Sequence, residues 1–314
     1  MTIALLVCGC LIIVLFIVAP FWHENHLALI DETVRQKARG NFVRLSKGIT
    51  HYEWIGAQSA STVVCIHGLT TPSYVWHGIA PQIAALGHHV LLYDIFGRGY
   101  SDRPPDLQDR AFFLQQLHEL LDSQKVTNNI VVIGFSMGGA IATAFTAENP
   151  KQVKKLVLIA PAGLKVTGMS TIRQMMVLPA VGGWFARGIY RSSHRKGTEA
   201  ERHLPSSVSG IVDRQQQELN YQGFCPSVLA SVRGLLHENQ SMDHEKIAGS
   251  KIPTLAIFGE NDAVISPGCG SQLVASNPDA RVEIVAGAGH GLPYTHSDEI
   301  LCLLSPFLSD RRAE

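Results

Sequence analysis

Three residue types in this chain are spaced so that they could do acyl-transfer chemistry. Ser136 lies in Gly134-Phe135-Ser136-Met137-Gly138. That G-x-S-x-G spacing turns up by chance in roughly one chain in ten of this length, so it informs only in context. The context is a β-rich run, Ile130 to Phe135, leading straight in, and a helical run, Met137 to Glu148, leading straight out and stopped by Pro150. A serine between such elements sits on a sharp, strained turn with its hydroxyl lifted clear of the sheet edge. Gly134 and Gly138 are expected there because side chains would crowd the turn. The free N–H groups and positive dipole end of the following helix point at the same place.

A serine hydroxyl is a weak nucleophile and needs a base. The chain has 14 histidines, so position must choose among them. His290 lies in Gly287-Ala288-Gly289-His290-Gly291, a loop directly after the strand-like Val282 to Val285. His67, before Gly68 at the end of Val63 to Ile66, is the rival, with positioning of the neighbouring loop as its expected work. The base in turn needs a carboxylate to fix its tautomer. Asp262 follows the strand-like Leu255 to Phe258 within Gly259-Glu260-Asn261-Asp262, and Glu260 is the near alternative. A tetrahedral intermediate would need backbone donors. The N–H of Met137 is one, and the N–H of Leu69, in His67-Gly68-Leu69-Thr70, is the other, with Gly68 allowing close approach. This chemistry requires no metal and no cofactor.

These residues need a scaffold, and the chain supplies β–α alternation. Short strand-like runs at Val63 to His67, Val90 to Tyr93, Ile130 to Phe135, Leu156 to Ile159, Leu255 to Phe258 and Val282 to Val285 alternate with helical spacings at Trp76 to Leu86, about Asp106 to Asp122, Met137 to Glu148 and about His296 to Leu308. Such alternation predicts an α/β fold with a mostly parallel sheet covered by helices on both faces. The alternation breaks over 165–247, which reads as a helical lid inserted into a core of 50–164 and 248–314. Residues 23–49 read as a charged, mostly helical connector. Within the lid, Met169 to Tyr190 is rich in apolar residues, suiting a lipid-facing surface, the wall of an acyl pocket or ordinary packing against the core. Arg187, Arg191, His194, Arg195 and Lys196 form a basic cluster, read first as a solvated face and alternatively as a contact for anionic headgroups.

Residues 1–22 hold an uncharged apolar run, Ile3 to Trp22. About 20 helical residues span roughly 30 Å, the hydrocarbon thickness of a bilayer. A single-pass membrane anchor is the expectation, because the run lacks the basic n-region of a cleavable signal and is too uniformly apolar for a one-sided core helix. Cys8 and Cys10 read as small apolar residues of that span. Arg35, Lys37, Arg39, Arg44 and Lys47 all follow the run, so the positive-inside tendency predicts a cytoplasmic catalytic domain. The chain has 26 Lys plus Arg and 26 Asp plus Glu, and this zero balance points away from a nucleic-acid partner.

Taken together, Cys65-Ile66-His67-Gly68, Tyr93 to Ser101, Gly134 to Gly139, Gly259 to Asp262 and Gly289-His290 resemble the α/β-hydrolase superfamily over about residues 50–310. The order serine, acid, histidine is that of the superfamily. The plan of one N-terminal span and a lidded domain resembles membrane-anchored monoacylglycerol lipases. The core motifs also resemble C–C bond hydrolases of aromatic-ring degradation. The resemblance implies a serine-dependent carboxylic-ester hydrolase acting on a small lipid or ester, such as a monoacylglycerol or lysophospholipid. It also implies that Asp94 and Arg98 support loop architecture, as an ion pair or a turn. Alternatives are C–C cleavage by the same triad and a non-catalytic binding role.

Overall fold

In a computed structural model the protein is described over residues 2–58, 61–164 and 171–309. Met169, singled out above, lies outside them. Eight strands form one sheet in the order β1-β2-β4-β3-β5-β6-β7-β8. They are β1 (Asn41–Leu45), β2 (Gly48–Ile55), β3 (Thr62–Ile66), β4 (His89–Tyr93), β5 (Ile130–Phe135), β6 (Val153–Ile159), β7 (Thr254–Gly259) and β8 (Arg281–Val285). From β4 to β8 every pairing is parallel, while β1 and β2 pair antiparallel with each other and β2 pairs antiparallel with β4. Parallel strands need covered faces, and β5 and β7 are buried along their whole length. The expected α/β architecture is therefore present.

The elements differ from the sequence reading in specific places. The stretch read as a helical connector contains β1 and the start of β2. Charged Arg44 and the turn at Ser46-Lys47 mask a short edge strand, whose partly exposed faces give no clean apolar alternation. The helix expected over Trp76 to Leu86 is a 3₁₀ turn, Ser73–Trp76, then a helix, Ala80–Ala85, with Pro81 in its first turn, the place where a missing N–H costs least. The helix expected from Asp106 begins at Arg110, because Asp109 caps it by accepting from the Phe112 N–H at 2.9 Å.

Between β6 and β7 the chain leaves the sheet as a helical insertion. Its ends are drawn together where the Gln240 N–H donates to Gly163 O at 2.8 Å. The helix Ser241–Gly249, counted with the lid in the sequence reading, packs on the helix Met137–Glu148 and thus joins the core. The rest of the insertion has its own small apolar cluster, including Met176, Ala186, Leu219, Phe224 and Val228. Leu69 touches both that cluster and the main core. At the N-terminus α1 (Thr2–Asn25) is one continuous helix whose apolar side chains are largely exposed. Its segment Leu5–Asn25 is long and apolar enough to cross a membrane, a property shared by anchors and signal sequences.

Candidate active site

Ser136 sits between β5 and the helix Met137–Glu148, with φ +54° and ψ −118°. That backbone is costly for a residue with a Cβ, and the surroundings hold it in place. The Ser136 N–H donates to Ile159 O at 2.9 Å, and the Ser136 carbonyl accepts from the N–H groups of Gly139 and Ala162, both at 2.9 Å. The two glycines are steric necessities. A Cβ on Gly134 would lie 2.3 Å from Gly138 O, and one on Gly138 would lie 2.1 Å from Ile66 O.

The structure brings Ser136, His290 and Asp262 together. Asp262 and His290 lie on the loops that follow β7 and β8. The Ser136 hydroxyl is 3.0 Å from His290 Nε2, and His290 Nδ1 is 2.8 Å from Asp262 Oδ2. A carboxylate only accepts, so Nδ1 carries the ring proton and Nε2 presents its lone pair to the serine. The Asp262 side chain is fully buried, and its Oδ1 accepts from the N–H groups of Val264 at 2.7 Å and Ile265 at 2.8 Å. These bonds aim the second oxygen at the imidazole. Glu260 turns away, accepting from the Gly287 N–H at 2.8 Å. A serine so paired can lose its proton as it attacks an electrophilic carbonyl.

His67 stands elsewhere. It is fully buried, and its Nδ1 donates to Gly68 O at 2.8 Å while its Nε2 accepts from the Ile95 N–H at 3.0 Å. Only a neutral ring can do both, and burial pushes its pKa down to about 4. The Gly68 carbonyl belongs to the same peptide plane as the Leu69 N–H, so His67 orients that N–H. Gly68 itself lies against the serine: a Cβ there would be 3.3 Å from Ser136 Cβ. Among the described residues no protein acceptor takes the N–H of Leu69 or of Met137. Among the described residues, no group of three or more His, Cys, Asp or Glu could hold a metal ion.

Asp94 and Arg98 do not pair with each other. Asp94 accepts from His51 Nδ1 at 2.8 Å, the Ser73 N–H at 2.8 Å and the Tyr100 N–H at 2.9 Å. Burial alone would raise its carboxyl, but the charge and hydrogen bond of His51 outweigh it and hold the group well below the usual carboxylate range. His51 donates from both nitrogens, to Asp94 and to Arg39 O. Burial opposes its charge, yet Asp94 leaves its pKa raised. Among the described residues the fully buried Arg98 has only neutral acceptors. It donates to Leu69 O at 2.9 Å, Phe96 O at 3.1 Å, Gln108 Oε1, and on the insertion Ser227 O at 3.3 Å and Ser231 Oγ at 2.8 Å. Burial lowers its pKa to about 9. The sequence reading assigned Arg98 a supporting role in its loop but not this reach to the insertion, because the acceptors are backbone and neutral side chains up to 133 residues away.

Residues 61–297 match the sequence profile of the alpha/beta hydrolase fold family, about three quarters of the chain. The chain belongs to that family. It is a hydrolase of the α/β fold, similar to both lipases and C–C bond hydrolases. It is 28% identical over 242 residues to Lipase 1 of Psychrobacter immobilis, covering 75% of this chain and 73% of that protein. It is 27% identical over 301 residues to the 2-hydroxy-6-oxononadienedioate/2-hydroxy-6-oxononatrienedioate hydrolase of Paraburkholderia xenovorans, covering 88% of this chain and 97% of that one. Among solved structures, an esterase from Exiguobacterium antarcticum superposes with a TM-score of 0.72 at 19% identity, over 86% of this chain and 99% of its own. A meta-cleavage product hydrolase from Pseudomonas fluorescens does so with 0.68 at 18%, over 87% and 98%.

The basic cluster of the insertion is split: Arg195 and Lys196 are exposed, as a solvated face requires, whereas Arg191 pairs with Glu24 at 2.8 Å and His194 is half-buried, its pKa pushed down to about 4 by loss of solvent and by Arg195.

Proposed function

We propose that this hydrolase cleaves carboxylic esters through an acyl-enzyme, with Ser136 as nucleophile, His290 as general base and acid, and Asp262 as the group that orients His290. The hydrogen-bonded chain from Ser136 Oγ through His290 to Asp262, at 3.0 and 2.8 Å, is the observation that carries this reading. Ser136 Oγ bonds to the ester carbonyl carbon as its proton passes to His290 Nε2. The carbonyl oxygen becomes an oxyanion, held by the N–H groups of Leu69 and Met137. The tetrahedral centre then expels the alcohol, which takes the proton from His290. Water, deprotonated by the same nitrogen, attacks the acyl-enzyme and releases the acid and free serine. Asp262 accepts from Nδ1–H throughout and stabilises the imidazolium.

The substrate in this reading is an amphipathic lipid ester, a monoacylglycerol or lysophospholipid. The exposed apolar α1, acting as a single-pass anchor, supports it by keeping the site at a membrane surface. The second reading is hydrolytic C–C cleavage, favoured by the near full-length similarity to the Paraburkholderia enzyme. Turnover of p-nitrophenyl esters of graded chain length, beside a ring-fission diketone, separates the two. Preference for medium or long acyl chains is expected. Activity on the diketone with none on any ester would overturn the ester assignment.

A further inference from the structure

Pro20 lies inside α1 and has no N–H, so the carbonyl four residues before it, that of Phe16, loses its helical donor. In water such a carbonyl is hydrated. In hydrocarbon it must find a donor from a neighbouring helix. The donor here comes from the insertion: Trp184 Nε1–H donates to Phe16 O at 3.0 Å, with the Phe16 and Trp184 rings 4.8 Å apart. One turn further along both segments, Gly188 lies against Pro20, where a Cβ would be 3.5 Å from Pro20 Cγ. Another turn brings Arg191 to the buried carboxylate of Glu24 at 2.8 Å. The contacts advance in the same direction on both chains, so the helical run 182–200 lies parallel to the second half of α1. Eight residues at 1.5 Å each put Trp184 roughly 12 Å deeper along the α1 axis than Glu24.

We propose that this edge of the lid is immersed in the acyl-chain region of one membrane leaflet, docked on α1 through the carbonyl that Pro20 frees. The inference rests on the reading of α1 as a membrane anchor. If α1 crosses the bilayer, everything level with Phe16 lies below the headgroups, and Trp184 is level with Phe16. The neighbouring lid side chains suit that depth: Leu178, Val181 and Ile189 are 47%, 41% and 38% exposed. The described cations at this edge are engaged: Arg187 donates to Gly183 O at 3.1 Å and lies 4.9 Å from the centre of the Phe21 ring, and Arg233 donates to Leu178 O at 2.6 Å and Met176 O at 3.2 Å. Arg191, Arg195 and Lys196 follow only at the level of Glu24 and beyond, where a helix leaving hydrocarbon meets headgroups. The lid cluster on this side includes Met176 and Ala186, and Leu69 packs against it. The immersed face thus lies between the leaflet and the loop beside Ser136, and the substrate class is a lipid delivered from within the leaflet.

The test uses the full chain in phosphatidylcholine vesicles, with the exposed Cys8, Cys10 and Cys302 changed to Ser. Single spin labels are placed through Leu15→Cys on α1, Val181→Cys and Ile189→Cys on the lid, and Glu245→Cys on the exposed core surface. Depth is read from collision with oxygen against a water-soluble nickel complex, on variants that keep turnover of a soluble ester. Oxygen-dominated collision at Leu15, Val181 and Ile189, with nickel-dominated collision at Glu245, is the expected result. Lipid depth at Leu15 with both lid labels in water would overturn the proposal and leave the anchor intact. Water exposure at Leu15 as well would overturn the anchor reading and the proposal with it.

Discussion

Around Ser136 the fixing is short-range, from a residue's own loop or from the strand and loop beside it. The serine is fixed by its elbow and the Ile159 carbonyl, Asp262 by the N–H groups of Val264 and Ile265, and the Leu69 peptide by His67. The lid is held from far away in the chain. Arg98 reaches Ser227 and Ser231, Arg103 meets Glu218 at 3.0 Å, Arg191 meets Glu24, and Trp184 meets Phe16. Local fixing gives a site that keeps its geometry when its surroundings move. Long-range polar ties give a cover whose position depends on a few groups, each of which can be removed singly. Arg98 belongs to both systems, since one guanidinium holds the Leu69 carbonyl and the lid helix Phe224–Arg233.

Substitutions in the local system should act on rate with the fold intact, and those in the lid ties on stability first. The largest effect in this contrast is expected from Asp262→Asn. An amide N–H facing Nδ1 favours the tautomer with the proton on Nε2, which cannot take the serine proton. The ester kcat should fall on the order of 10³–10⁴-fold with little change in melting temperature. A melting temperature that collapses would show that the Asp262 loop is structural.

Arg98→Met comes next. It strands buried acceptors on both sides of the lid contact, and unfolding free energy should drop by about 3 kcal/mol in denaturant titration. The ester kcat should also fall, on the order of tenfold, because Leu69 loses its anchor. Loss of stability with full kcat would place Arg98 in the lid system alone. Trp184→Phe keeps the ring and removes one donor, so a loss of about 1 kcal/mol is expected in vesicles, read as a lowered thermal midpoint. An unchanged midpoint in both vesicles and detergent would mean the Phe16 carbonyl has another partner.

The smallest effect is a pH dependence. The His51 pKa is raised on folding, so its contribution is fully present below the ordinary imidazole range. It is lost as pH rises through the folded value. Wild type should therefore lose its thermal advantage over His51→Gln as pH rises above the ordinary imidazole range. A parallel pair of pH profiles would mean that His51 folds uncharged.

The same contrast explains what could be read from the sequence. Ser136, Asp262 and His290 each follow a short apolar run, and a strand followed by a polar or glycine-rich loop is a local pattern visible without a fold. The parallel sheet was legible for the same reason, since β3 to β8 are fully or partly buried runs of a few residues. Asn41–Leu45 was not, because an edge strand with exposed positions carries no alternation. Nor were the ties at Glu24, Trp184 and Arg98 legible. Each joins residues more than a hundred positions apart, and only packing decides which arginine meets which acceptor.

The central claim is that Ser136 attacks through His290. Intact-mass spectrometry after treatment with an alkyl fluorophosphonate tests it most directly, on wild type, Ser136→Ala and His290→Ala. One equivalent of phosphonate on wild type, mapped to Ser136, with none on Ser136→Ala and far slower labelling of His290→Ala, is the predicted result. Phosphonylation of Ser136→Ala at the wild-type rate would contradict the account.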